Sequence, residues 1–392
     1  MATPTRTIAV GDLHLVRDTP KGVVDDAVRL LQDHPGARIV FLGDLFDLSA
    51  DHPGAEKGPA LKQAVETHAP FARALGEHVD RGGELWIVGG NHDAAAGDPD
   101  ERGSLLEGLR LDGDRRARVR TSPWLFREGG LHLEHGHLYD PDNAVAHPLV
   151  AGARSLGVHF VEEFIAPTGA FRYLNANDGM PLDLLVSAFK WYGVRGPYVV
   201  YKYFDAAFRA LAGSGQPFAA QARDDHAEGH SRESAYAASI GVEDQLLRAL
   251  DSIRAVPTRM NALRTFQRLY LDRVASTVAM TSGAIALMAG KRTTGLALLG
   301  AGALTMGVSW ALGYDRYGGN VPEMLERGAN EVVEKTDAKL VVMGHAHREA
   351  LTDHYANTGS FSFPRGAPGR PFLEIEDGAS GPRAVRRYLR AS

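Results

Sequence analysis

Short runs of apolar, β-prone residues recur along the chain, each closed by glycine or a polar residue: Thr7–Val10, Arg38–Leu42, residues 85–88, Leu131–Glu134 and, much later, Leu340–Met343. Such short runs bounded by turn residues predict buried strands. Between the first three, residues 23–33 and 60–79 space their apolar positions by three and four. That spacing predicts amphipathic helices, and so a β-α-β-α-β opening with parallel strands. Residues 124–134 read instead as a hairpin, because LFRE and LHLE flank the turn Gly129-Gly130. After Pro364, PFLEIE and AVRRYL predict two further strands at a sheet edge. The expected fold class is α/β (α+β), a mixed β-sandwich flanked by helices.

From residue 148 to residue 336 the pattern turns helical, which divides the chain into a core segment 1–147, an insertion or lid 148–336 and a returning core segment 337–392. The insertion opens with LDLLVSAFKWYG and YVVYKYFDAAFRALAG, both rich in aromatics. A polar stretch, 221–234, is expected to break the pattern before helices at 243–255 and 259–272. Residues 274–290 and 295–313 then carry no charge and are separated only by Lys291-Arg292-Thr293-Thr294. As helices they would reach roughly 26–28 Å, near the thickness of a bilayer core. Small residues every four positions, Ala275, Ala279 and Gly283 in one and Ala297, Ala301, Thr305, Ser309 and Gly313 in the other, predict a close helix–helix seam. A full span would carry Lys291-Arg292 across the bilayer, against the positive-inside tendency. A hairpin dipping into one leaflet, or one buried in an oligomer, avoids that cost. A membrane surface is the favoured partner.

The chain has 392 residues, more than one ordinary domain, so a core plus an insertion is expected. Its formal charge of -5 offers no general attraction for nucleic acid, which is not expected as a partner. No cysteine is present, which excludes disulfides and thiolate ligands and leaves His, Asp, Asn and Glu to hold any metal. The first residues, MATPTRTIAVG, lack the apolar stretch of a secretory signal. The expected location is cytoplasmic, at the inner face of the membrane.

Candidate chemistry lies in five patches: Asp12-Leu13-His14, Gly43-Asp44-Leu45-Phe46-Asp47, Gly90-Asn91-His92-Asp93, His135-Gly136-His137 and Gly344-His345-Ala346-His347. Each follows a strand-like run, so each is delivered at the carboxyl end of a strand, where open α/β sheets place their sites. Oxygen donors such as Asp12, Asp44 and Asn91 mixed with imidazoles suit Mn²⁺, Fe²⁺, Zn²⁺ or Mg²⁺. Residues two apart in extended chain point the same way, which suits D-x-H and H-x-H pairs. Asp44 is the best candidate for a carboxylate shared by two metals. Two ions ~3.5–4 Å apart can hold a hydroxide between them and clamp a phosphate.

The ordered set DLH, GDLFD, GNHD, HGH and GHAH resembles the calcineurin-like metallophosphoesterase family, over the segments on either side of the insertion. The resemblance implies a metallophosphoesterase-like sandwich holding two divalent ions, manganese first, with iron, zinc or magnesium as alternatives. One ion would take Asp12, His14, Asp44 and His347, and the other Asp44, Asn91, His135 and His345. His92 would be the catalytic imidazole, oriented by Asp93, with Asp47 and His137 behind the ligands. A hydroxide bridging the metals would attack a phosphodiester or pyrophosphate.

The motifs DLHL and FLGDLFD, and the closing NTGSF, are nearest in style to UDP-2,3-diacylglucosamine hydrolases, which points to a lipid-linked substrate. That group's best-known branch has Arg at the position of His92, Asp at the position of His137, and a much shorter insertion. Lys190, Arg195 and Lys202 are candidate holders of a phosphate or headgroup, against the plainer reading as solvated faces of amphipathic helices. His147 and His159 are set aside as satisfied polar groups, and His226 and His230 as part of a charged linker. The rival functions are a soluble phosphatase of nucleotides or phosphoproteins whose hairpin serves oligomerisation, and a non-catalytic scaffold.

Overall fold

Among the described residues, eleven strands form two sheets. In the computed structural model, which describes residues 6–175, 181–311, 320–365, 368–378 and 381–390, they are β1 (Thr7–Val10), β2 (Arg38–Leu42), β3 (Glu84–Val88), β4 (Val119–Ser122), β5 (Leu125–Glu128), β6 (Leu131–Glu134), β7 (Leu340–Met343), β8 (Glu349–Leu351), β9 (Tyr355–Thr358), β10 (Arg370–Gly378) and β11 (Gly381–Leu389). One sheet has the order β11-β10-β1-β2-β3-β4 and the other β5-β6-β7-β9-β8. β1 to β4 are parallel, and β10 joins them antiparallel beside β1. β5 and β6 form the expected hairpin, with Gly129 and Gly130 both at positive φ (57° and 84°) as its tight turn demands.

Alternation along the central strands builds two apolar faces. Ile8, Val10, Ile39 and Phe41 point into a cluster with the helices, whereas Ala9, Val40, Leu42, Trp86 and Val88 meet Phe126, Leu133 and Val342 between the sheets. A strand buried on both sides reads as continuous Val, Ile and Leu, which is why these runs stood out in the sequence. Beyond the second sheet, Val341, Met343 and Tyr355 pack with Tyr236, Leu247, Leu250, Leu325 and Val332.

Those last residues come from within the segment 148–336, and the helices carrying them form an outer layer of the sandwich. The chain divides into two compact units. One contains Met1–Phe171, Gln221–Pro257 and Val321–Ser392, and the other Arg172–Ala220 and Thr258–Asn320.

Three local expectations need correction. Residues 60–79 form two helices, Lys57–Thr67 and Ala69–Asp80, because Pro70 at the start of the second cannot continue the first. The polar stretch 221–234 lies inside one unbroken helix, Gln216–Ile240. Its Ala, Gln, Glu and Arg residues are good helix formers, and pairs such as Arg232 with Glu228 support the exposed face. Polarity there marked a solvated face and not a break.

The third concerns the apolar hairpin of the second unit, whose helices are Leu271–Met288 and Arg292–Ala311. The buried small residues are Ser276 and Gly283 against Gly295, Gly302 and Ser309, a spacing of seven, while Ala275, Ala297 and Ala301 of the four-residue stripe face outward. Helices that wind around each other return the same face every seven residues. A side chain at Gly302 would run into the carbonyl of Ser276, and one at Gly283 into that of Gly295. Ser276 and Thr305 share a hydroxyl hydrogen bond of 2.8 Å, and Ser309 donates to Asp272 at 2.7 Å. Gly313 lies outside the described residues. Val278, Ile285, Met288, Leu296, Leu304 and Trp310 are exposed. Among the described residues, only Arg292–Ala311 is long and apolar enough to cross a membrane, by length and composition.

Candidate active site

The five patches converge at the carboxyl ends of β1, β2, β3, β6 and β7. Seven described non-glycine residues have positive φ, and five of them are Asp12, His14, Asp44, His345 and His347. Left-handed backbone at a residue with a Cβ costs roughly 1–2 kcal/mol, so its concentration here marks a constrained site. Glycines make the close approaches possible. Gly43 (φ 79°) lies against the His135 ring, and a side chain at Gly90 would collide with the Asp44 carboxylate.

Two sets of donor atoms form, and a third group, His14, Asp44 and His92, links them. In the first, Asp12, His14 and His347 offer atoms within 4.8 Å of one another. His14 Nε2 and His347 Nε2 stand only 3.0 Å apart, and His347 Nε2 is 3.3 Å from Asp12 Oδ1. In the second, Asp44, His135 and His345 converge likewise. His135 Nε2 is 3.2 Å from Asp44 Oδ2 and 3.1 Å from Asn91 Oδ1. Asp44 Oδ2 is also 3.7 Å from His14 Nε2. His135 Nδ1 donates to the Leu42 carbonyl at 2.6 Å, which fixes the ring and leaves Nε2 with its lone pair for a metal.

The surroundings fit divalent ions. Asp12, Asp44 and Asp47 are almost completely buried, His14 Nδ1 lies 3.4 Å from Asp47 Oδ2, and the nearby His137 Nδ1 has no hydrogen-bond partner. Buried carboxylates demand compensating positive charge. Without metal the imidazoles must supply it. Burial alone would lower the His135 pKa, but the Asp44 carboxylate outweighs it and pushes the ring up to about 9. His92 is likewise driven by Asp47 and Asp44, against burial, up to about 10. His137 goes the other way, held well below the usual imidazole range by burial and by its neighbours His135 and His345.

A pH dependence follows. A histidine ordinarily titrates near 6.5, so these two raised values stabilise the metal-stripped fold fully below about pH 6.5 and lose that contribution as pH rises through 9 to 10. Metal binding needs neutral rings and so tightens over the same range. We expect the thermal midpoint of the metal-stripped protein to fall between pH 6.5 and 9.5 while Mn²⁺ affinity by calorimetry rises. A flat or rising midpoint would contradict the assignment.

His92 is held by Asp47 and not by Asp93. Its Nδ1 lies 3.0 Å from Asp47 Oδ1 and 2.7 Å from Ser49 Oγ. Asp93 instead accepts the backbone amides of Asp44, Leu45, Phe46 and Gly90. It therefore organises the loop that presents Asp44, which corrects the expected role. Burial and the Asp44 charge raise its pKa to about 6.

Sequence reasoning passed over Ser49, Asp140 and Asn143. Asp140 Oδ2 lies 3.1 Å from His345 Nε2 and accepts from Asn143 at 2.7 Å, and Asn143 in turn accepts from Asn91. The only trace of Asp140 in the sequence is its place five residues after His135. Lys190, Arg195 and Lys202 belong to the second unit and to none of these donor sets. Lys190 and Arg195 are exposed, and Lys202 pairs with Asp205 at 3.0 Å, which agrees with solvated helix faces.

Residues 5–197 match the family model described as calcineurin-like phosphoesterase. The chain therefore carries a metal-dependent phosphoester hydrolase domain of that family. The matched segment ends before Gly344-His345-Ala346-His347, which the fold returns through β7, paired parallel to β6. No curated protein matches the chain.

Proposed function

We propose that the site hydrolyses a phosphodiester or pyrophosphate bond in an amphiphilic or lipid-linked substrate of the UDP-2,3-diacylglucosamine kind, at the cytoplasmic face of a membrane. The observation that carries this reading is the pairing of a metallophosphoesterase donor set with a hairpin exposing large apolar side chains along both helices.

In this reading one divalent ion is held by Asp12, His14, Asp44 and His347, and the other by Asp44, Asn91, His135 and His345. The ions would neutralise phosphoryl charge and lower the pKa of a water at neutral pH. The chain's own contribution is positional. His92 is anchored through Nδ1 by Asp47 and Ser49, which leaves Nε2 to hold or give a proton at a phosphoryl or leaving oxygen. Asp140 steadies His345, and Asp93 steadies the Asp44 loop.

Incubation with Mn²⁺ and a panel of nucleotide-linked lipids, phospholipids and simple diesters tests the substrate. Release of UMP from UDP-2,3-diacylglucosamine is expected, and activity confined to soluble monoesters would overturn the lipid reading. For the hairpin, deleting residues 274–313 is expected to abolish co-flotation with anionic phospholipid vesicles while metal binding persists. A full-length chain that stays wholly with the soluble fraction would refute the membrane role.

A further inference from the structure

We infer that His147, His230 and Glu233 form a separate site for one divalent cation of the zinc type. The helix Gln216–Ile240 brings His226, His230 and Glu233 to one face by spacings of four and three. His147, from the segment that follows the HGH patch, is fully buried against this face. Its ring fits only because residue 229 is glycine, since a side chain there would strike it.

Glu233 is 2% exposed, and its Oε1 lies 3.2 Å from both His147 Nε2 and His230 Nδ1. All three donor atoms lie within 4.8 Å of one another. Ligands about 2.0–2.1 Å from a tetrahedral zinc stand roughly 3.3 Å apart, so the observed separations are close to the edges of such a tetrahedron. Two imidazole nitrogens and one carboxylate oxygen make a three-ligand zinc set. The His230 side chain is half exposed, which lets water complete the fourth position. The His226 ring lies 5.7 Å from that of His147, and its Nε2 is 3.3 Å from Asp251 Oδ2, so it borders the site without joining it.

Without a cation, His147 Nδ1 accepts the Leu149 amide at 3.2 Å, which puts the ring proton on Nε2, facing Glu233. Burial then keeps this ring neutral, its pKa lowered to about 4. On binding, the cation takes the Nε2 lone pair, the proton moves to Nδ1, and the Leu149 contact is given up. The hydrogen bonds of His147 to the Leu149 amide and to Glu233, and the His230–Glu233 contact, are exchanged for coordinate bonds from the three side chains.

The site shares no residue with the donor sets around Asp44. It ties the helix to the chain segment that also supplies Asp140 and Asn143. The same segment is fastened to its surroundings by Ala153 N–H to Asp225 at 2.7 Å and by Arg254 to the carbonyls of Val145 and Ala146.

The full chain, stripped of metal and dialysed against Zn²⁺, is the material for the test, with bound zinc counted by mass spectrometry. His230→Ala is expected to bind one equivalent fewer than the unaltered chain and to keep its circular dichroism spectrum. Glu233→Gln, which preserves the hydrogen bond from His147, is expected to show the same loss. In an Asp44→Ala background one tightly held equivalent should remain, and adding His230→Ala should remove it. Unchanged zinc content in His230→Ala, in either background, overturns the site.

Discussion

Replacing Asp44 with alanine is expected to lower metal-dependent phosphodiester hydrolysis by at least ~10³-fold, about 4 kcal/mol of transition-state stabilisation. Asp44 lies between the two donor sets, its carboxylate 3.2 Å from His135 Nε2 and 3.7 Å from His14 Nε2. Its loss removes a ligand from each proposed ion at once. Asp44 also accepts the His92 amide at 2.9 Å, so part of the effect comes through displacement of that loop. Asp44→Asn separates the two, because an amide oxygen still accepts the hydrogen bond but lacks the charge that holds two cations. The measurement is turnover of a simple diester with Mn²⁺, alongside metal content. His345→Ala is expected to fall by a comparable factor, and undiminished turnover in both alanine variants would refute the two-ion mechanism.

The second large effect is expected at His92. His92→Ala should lower kcat by roughly 10²–10⁴, the usual range for a positioned acid or base, while metal content stays at the wild-type value. That separation matters because His92 is not needed as a ligand in the proposed arrangement. Asp47→Asn should act through His92. Asp47 is buried, and although burial alone would raise its carboxyl, His92 and His14 hold it well below the usual carboxylate range. Removing its charge should lower the His92 pKa and move the alkaline limb of the kcat profile to lower pH. A profile that drops in height without shifting would assign Asp47 a merely structural part.

Much of the site was legible in the sequence because metal donors of the required types follow buried strands, and strand burial on both faces writes itself as unbroken apolar runs. Asp12, Asp44, His135 and His345 were found in that way. What spacing could not convey was which neighbour each donor leans on. Asp93 follows His92 directly, and adjacency suggested a partner. The chain turns there, however, so that Asp93 faces the Asp44 loop and Asp47 reaches His92 from a different strand end.

The helical region shows the same limit. The stretch 221–234 reads as polar because one face is solvated. Its other face carries Asp225 and Glu233, which meet Ala153 and His147, and that assignment depends on partners more than 70 positions away in sequence. The hairpin seam was expected every four residues and falls every seven, because the crossing geometry of two helices and not the composition of one decides which small residues are covered.

By itself, then, the sequence determined eight of the eleven described strands, missing β4, β8 and β9, together with the donor types and the class of chemistry, since these follow from local apolar patterning and from the chemistry of single side chains. The tertiary structure decided that Asp47 rather than Asp93 anchors His92 and that Glu233 lies buried between two histidines. Each of those is a distance between residues far apart in the chain. Such distances are set by how sheets and helices pack, which no local pattern specifies.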